Sequence, residues 1–160
     1  MAEDDETVRA REGLVRQLVP AHDLAGISVL LVEDDYETRA ATDELLRAAG
    51  AFVRSVTSVP EALNLFRAVR FHVILADLGL PDMDGYALIR ALRRQQVSIP
   101  VIAYTGRNSR EDTIYVRHAG FTLHLTKPVP PVDIVAAVAL AASGRAHEFV
   151  SSTIPNGSSS

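Results

Sequence analysis

A chain of 160 residues suits one domain with extensions; 48% apolar content is enough for a core, and a net charge of −4 gives no bulk basic field for nucleic acid. The absence of cysteine excludes a disulfide framework and a thiolate metal site. The chain opens Met1-Ala2-Glu3-Asp4-Asp5-Glu6, unlike a signal peptide, and its longest Ala/Val-rich run, Ile134 to Ala142, is too short to span a bilayer. The expectation is a cytoplasmic protein with no membrane insertion and no direct nucleic-acid binding.

Residues 1–26 stand apart as an N-terminal extension or linker helix. Val8, Leu14, Val15, Leu18 and Val19 line one side, acidic residues precede Arg9, Arg11 and Arg16, and Pro20 and Gly26 break the pattern. From Ile27 strand-like and helix-like segments alternate. Ile27 to Val32 reads as a strand; Tyr36 to Ala49 as a helix with Ala40, Leu45, Leu46 and Ala49 towards a core; Phe52 to Val56 as a strand. Ser58-Val59-Pro60-Glu61 has the form of a helix start, with Ser58 as N-cap and Glu61 at the capping-box position, and the helix runs through Leu63, Phe66 and Val69. Val73 to Ala76 is the third strand and Tyr86 to Arg94 the third helix. Ile99 to Tyr104 is the fourth strand, Asn108 to His118 the fourth helix, Phe121 to Leu125 the fifth strand and Pro131 to Ser143 the fifth helix. Residues 146–160 read as a disordered tail.

This alternation implies an α/β fold of (βα)5 type: a doubly wound five-stranded parallel sheet in the flavodoxin-like order 2-1-3-4-5, occupying residues 27–145. In that order strands 1 and 3 flank the crevice at the carboxyl edge where such sheets bind ligands. Glu33 and Asp34 end the first strand, and Asp77 ends the third before the turn-rich Leu78-Gly79-Leu80-Pro81-Asp82-Met83-Asp84-Gly85. Clustered carboxylates repel unless a cation joins them, and an all-oxygen donor set suits Mg²⁺. Strand 4 ends at Thr105-Gly106 and strand 5 leads to Lys127-Pro128, adding a hydroxyl and an ammonium at the same edge. Together these groups suit a phosphoryl group bonded to a carboxylate. Singly each has a plainer reading: Asp77 as a turn residue, Glu33-Asp34-Asp35 as a helix start, Thr105 as a turn hydroxyl, Lys127 as a solvated charge. Their joint occurrence at the ends of strands 1, 3, 4 and 5 argues against coincidence.

These residues, in this order, resemble the receiver domain of two-component response regulators over about Ile27 to Arg145. Val29-Leu30-Leu31-Val32-Glu33-Asp34-Asp35 is similar to the family's first strand and acidic pair, and Ala76 to Tyr86 to its phosphoacceptor loop; Thr105-Gly106 and Lys127-Pro128 fill the remaining places. The resemblance implies that Asp77 takes a phosphoryl group from a phosphohistidine on a histidine kinase or histidine phosphotransfer protein. It implies Mg²⁺ on Asp34, Asp77 and the Gly79 carbonyl, with Glu33 acting through water. Thr105 and Lys127 would hold phosphoryl oxygens, and Lys127-Pro128 would be cis. Asp35 is given no direct role.

Switching would draw Thr105 inward and shift the surface of the fourth helix, fifth strand and fifth helix. The family often carries Tyr or Phe three residues before the lysine; here His124 stands there, as switch partner or as an ordinary edge-strand histidine. Gly79 and Arg107 occupy the positions that influence dephosphorylation. Such a domain is a phosphoacceptor that catalyses its own phosphorylation and slow dephosphorylation, not an enzyme acting on others. The phrase Asp23-Leu24-Ala25-Gly26 and the run 119–130 resemble receivers of hybrid histidine kinases. The alternatives are a phosphorylation-independent pseudo-receiver binding module, and a haloacid-dehalogenase-like phosphatase. The latter places its nucleophile after the first strand with a second Asp two residues on, where this chain has Gly79.

Overall fold

The computed structural model describes residues 6, 23–79, 85–106 and 118–151. In chain order it contains β1 (Ser28–Val32), α1 (Tyr36–Ala48), β2 (Phe52–Val56), α2 (Val59–Ala68), β3 (Val73–Asp77), α3 (Gly85–Arg94), β4 (Val101–Thr105), β5 (Leu123–Thr126) and α4 (Pro131–Ala142). A short 3-10 turn follows at Ala146–Glu148. The strands are parallel and lie in the order β2-β1-β3-β4-β5, the doubly wound arrangement expected from the alternation. The apolar segment from Val8 to Val19, loop residues 80–84, nearly all of the helix expected at 108–118, and tail residues 152–160 lie outside the described residues.

Period-two alternation sends successive strand residues to two cores. Val29, Leu31, Val73, Leu75, Ile102, Tyr104 and Leu125 meet α1 and α4 through Leu45, Leu46, Ile134 and Val138. Leu30, Val32, Ile74, Ala76, Val101 and Ala103 meet α2 and α3 through Val59, Ala62, Leu88, Ile89 and Leu92. With both faces covered, β3 and β4 are buried throughout, which is why they read as unbroken apolar runs.

The helix starts have local causes. Asp35 caps α1, its carboxylate accepting from the Thr38 N–H at 2.8 Å and the Thr38 hydroxyl at 2.6 Å. Ser58 caps α2, accepting from the Glu61 N–H at 3.4 Å, while the Glu61 carboxylate accepts the Thr57 N–H at 3.0 Å.

Three expectations need correction. Ala40 faces solvent; the inward stripe of α1 is Thr42, Leu45, Leu46 and Ala49, at the i, i+3, i+4, i+7 spacing from which Ala40 is displaced. The strand β5 begins at Leu123, because Phe121 packs on the α2/α3 side, edge-to-face with Tyr86 at 5.7 Å. Residues 146–151, expected as the start of the tail, instead fold back: Phe149 packs against the core and the Ser151 hydroxyl donates to Asp133 at 3.0 Å.

The folded unit also reaches upstream of Ile27. Leu24 is buried, and its N–H donates to the Ala49 carbonyl at 2.8 Å. Gly50 is needed there: its φ is +104°, and a Cβ would come within 3.1 Å of the Ala25 nitrogen.

Candidate functional site

At the carboxyl edge the sheet ladder runs one rung past three strands. The Glu33 N–H donates to Val56 (3.0 Å), Leu78 N–H to Tyr104 (3.2 Å) and Lys127 N–H to Thr105 (2.7 Å). The pleat then fixes direction. Glu33 continues the parity of Val29 and Leu31, Asp77 that of Val73 and Leu75, Lys127 that of Leu123 and Leu125. All three therefore fall on the side of the sheet covered by α1 and α4. Thr105, on the opposite parity, is buried at the end of β4.

Contacts bear this out. One ligand oxygen from each of Glu33, Asp34 and Asp77 lies within 4.8 Å of the others. Lys127 Nζ stands 3.4 Å from Glu33 Oε1 and 3.5 Å from Asp77 Oδ2. Glu33 is only 1% exposed, and its Oε2 is buried with no hydrogen-bond partner. Burial, then the Asp77 charge and a hydrogen bond with Asp77, push Glu33 up to about 7, against the weaker opposing pull of Lys127. Burial pulls the Lys127 ammonium down, yet the Asp77 and Glu33 charges outweigh it and leave the group above its usual value. A deep carboxylate with an idle oxygen, beside two more carboxylates, is an arrangement that a hard cation with oxygen ligands would complete.

Asp34 is exposed at the mouth. Gly79 follows Asp77 by two residues and its N–H donates to Asp77 Oδ1 at 2.9 Å. The Lys127-Pro128 peptide bond is cis. Half-buried His124 lies on edge strand β5 opposite Ala103, one residue before the parity of the lysine. Arg107 lies outside the described residues.

Sequence reasoning missed three supporting residues. Arg39 Nη1 donates to the carbonyls of Glu33 (3.0 Å) and Asp34 (3.2 Å), holding the turn that carries both acids. Tyr104 lies beneath Lys127, with Nζ 4.5 Å from its ring centroid; burial raises its phenol above the usual value, with Thr42 acting against that shift. The pleat offered a signal for Tyr104: it shares a rung with Asp77.

The family model for the response regulator receiver domain matches residues 29–139. The chain belongs to the response regulator receiver family. The receiver is 33% identical over 114 residues to an uncharacterized 14.6 kDa protein of Leptolyngbya boryana, covering 70% of this chain and 87% of that one. It is 30% identical over 110 residues to the cell cycle response regulator CtrA of Brucella ovis, covering 69% of this chain but only 47% of CtrA. The receiver thus spans about half the length of that regulator. A solved Francisella response regulator 1452 receiver domain superposes with a TM-score of 0.72 at 26% identity, covering 74% of this chain and 98% of that one. Two-component signalling is therefore the setting of the receiver. Among the described residues no helix is long and apolar enough to cross a membrane.

Proposed function

We propose that the receiver is a cytoplasmic phosphoacceptor, with Asp77 taking a phosphoryl group from a phosphohistidine on a histidine kinase or histidine phosphotransfer protein. An Asp77 carboxylate oxygen attacks phosphorus; the new O–P bond forms as the N–P bond breaks, and the departing imidazole takes up a proton. Asp34, Asp77 and the Gly79 carbonyl would hold Mg²⁺, with Glu33 acting through water. Mg²⁺, when bound, neutralises charge on the phosphoryl oxygens. Lys127 and the Thr105 hydroxyl hold those oxygens, and inward movement of Thr105, followed by His124, changes the surface around β5 and α4 that a protein partner reads.

The observation that carries this reading is the buried pair Glu33 and Asp77 joined by one lysine, at 3.4 and 3.5 Å, with Glu33 Oε2 idle. Incubation with Mg²⁺ and acetyl phosphate, then with a phosphorylated histidine donor, followed by intact-mass measurement, tests it. A phosphoryl adduct present in the wild type and absent in Asp77→Ala is expected. No adduct from either donor would overturn the reading in favour of a phosphorylation-independent binding module.

A further inference from the structure

We infer that Tyr104 is a positioning residue for Lys127, setting where its ammonium stands in the site; the inference rests on the phosphoacceptor reading above. Lysine is a poor candidate for self-placement. Its stem has four rotatable carbons and its head is a point charge without a preferred direction. The side chain of Lys127 is 27% exposed, and its two ion-pair contacts, 3.4 and 3.5 Å, are longer than a charge-assisted hydrogen bond. Those contacts alone leave the ammonium room to swing towards solvent.

The third contact closes that path. Lys127 Nζ stands over the face of the Tyr104 ring, 4.5 Å from its centroid. The ring quadrupole attracts the cation, and more strongly where water is excluded. Tyr104 is 6% exposed. It is held between Asp77 on β3 and Leu125 on β5, its register partners, so the backbone fixes the ring to the two strands that lead to the site. The ring also packs in one core with Leu45 and Leu46 of α1. Tyr104 thus joins the core beneath α1 to the ammonium that faces Glu33 and Asp77.

A merely structural tyrosine would fill the core between β4 and α1 without affecting where the lysine stands. Two readouts separate the roles. An ammonium over a ring face places the Lys127 Hε protons in the shielding cone, so their NMR signals move upfield. The rate of Asp77 labelling at saturating acetyl phosphate and Mg²⁺, by intact mass, reports what that placement does. In Tyr104→Leu the upfield shift is lost and labelling slows by about tenfold. Tyr104→Phe, the conservative variant, keeps the ring, the shift and a rate within about twofold of wild type.

A folded Tyr104→Leu that labels at the wild-type rate overturns the inference. So do Lys127 protons at ordinary positions in the wild type, a result that needs no variant to fold. If wild type and Tyr104→Phe both fail to label, the phosphoacceptor reading falls, and the claim that Tyr104 serves that chemistry falls with it. The wild-type shift still decides, separately, whether the ring holds the ammonium.

Discussion

The amino and carboxyl edges of the sheet belong to the same five strands and treat polar groups in opposite ways. At the amino edge, polar side chains close backbone groups. His72 Nδ1 accepts the Ser28 N–H at 2.9 Å, Asp23 accepts the Ala25 N–H at 2.8 Å, and the Arg93 guanidinium donates to the Ile99 and Gly120 carbonyls. At the carboxyl edge, Glu33 and Asp77 face each other across Lys127, and one buried carboxylate oxygen has no partner. Those amino-edge groups are satisfied by the protein's own side chains. The carboxyl edge concentrates like charge, an arrangement that costs stability and makes sense when something else completes it.

Removing the lysine between the carboxylates breaks the contrast most directly. Lys127→Met should lower the rate of Asp77 labelling by about 100-fold or more, as expected for a positioned charge at a reacting phosphoryl group, with labelling followed by intact mass. At the opposite edge Leu24→Ala, deleting a fully buried side chain, should cost about 2–5 kcal/mol in a denaturant titration. It should leave the labelling rate of the folded protein unchanged.

Glu33→Gln sharpens the comparison by moving the two quantities apart. Gln keeps an oxygen for Lys127 and offers an N–H₂ towards Asp77, so apo stability should rise by about 1–2 kcal/mol while Mg²⁺ affinity falls. Metal-free stability should also depend on pH. Glu33, pushed up to about 7, keeps in the folded state a proton that the unfolded chain has released above its ordinary value of 4.5. The folded state then binds more protons, so stability declines as pH rises through that interval. Thermal unfolding without metal should show the decline, and Glu33→Gln should flatten it. The smallest effect is expected at Ser58, a carboxyl-edge hydroxyl that only caps α2 through a 3.4 Å bond. Ser58→Ala should cost about 0.5–1 kcal/mol, leaving labelling and Mg²⁺ binding intact.

Much of this was legible in the chain because its signals are local. Apolar runs alternating with helix periodicity give the strand order through general rules of connection, and a strand that ends on a carboxylate declares which edge the acid occupies. Asp35 and Ser58 carry their caps within a few residues. What stayed hidden depends on partners far away in sequence. Thr42 reads as a break in an apolar stripe, yet it is buried on the inward side of α1 while Ala40 faces solvent. Tyr104 reads as one more strand residue until the cis-linked lysine arrives over its ring. Arg39 resembles any helix-surface arginine; its role exists only because the turn bends two carbonyls back to it. Phe149 follows a short turn with no periodicity of its own, and its packing comes from α4 and the core beneath.

Titrating metal-free protein with Mg²⁺ while following its backbone amide NMR signals tests the central claim most directly. The account predicts a single saturable site, with shifts concentrated at Glu33, Asp34, Asp77 and Gly79 and abolished in Asp77→Asn. Unsaturable shifts scattered over the surface acids, or shifts undiminished in Asp77→Asn, would contradict it.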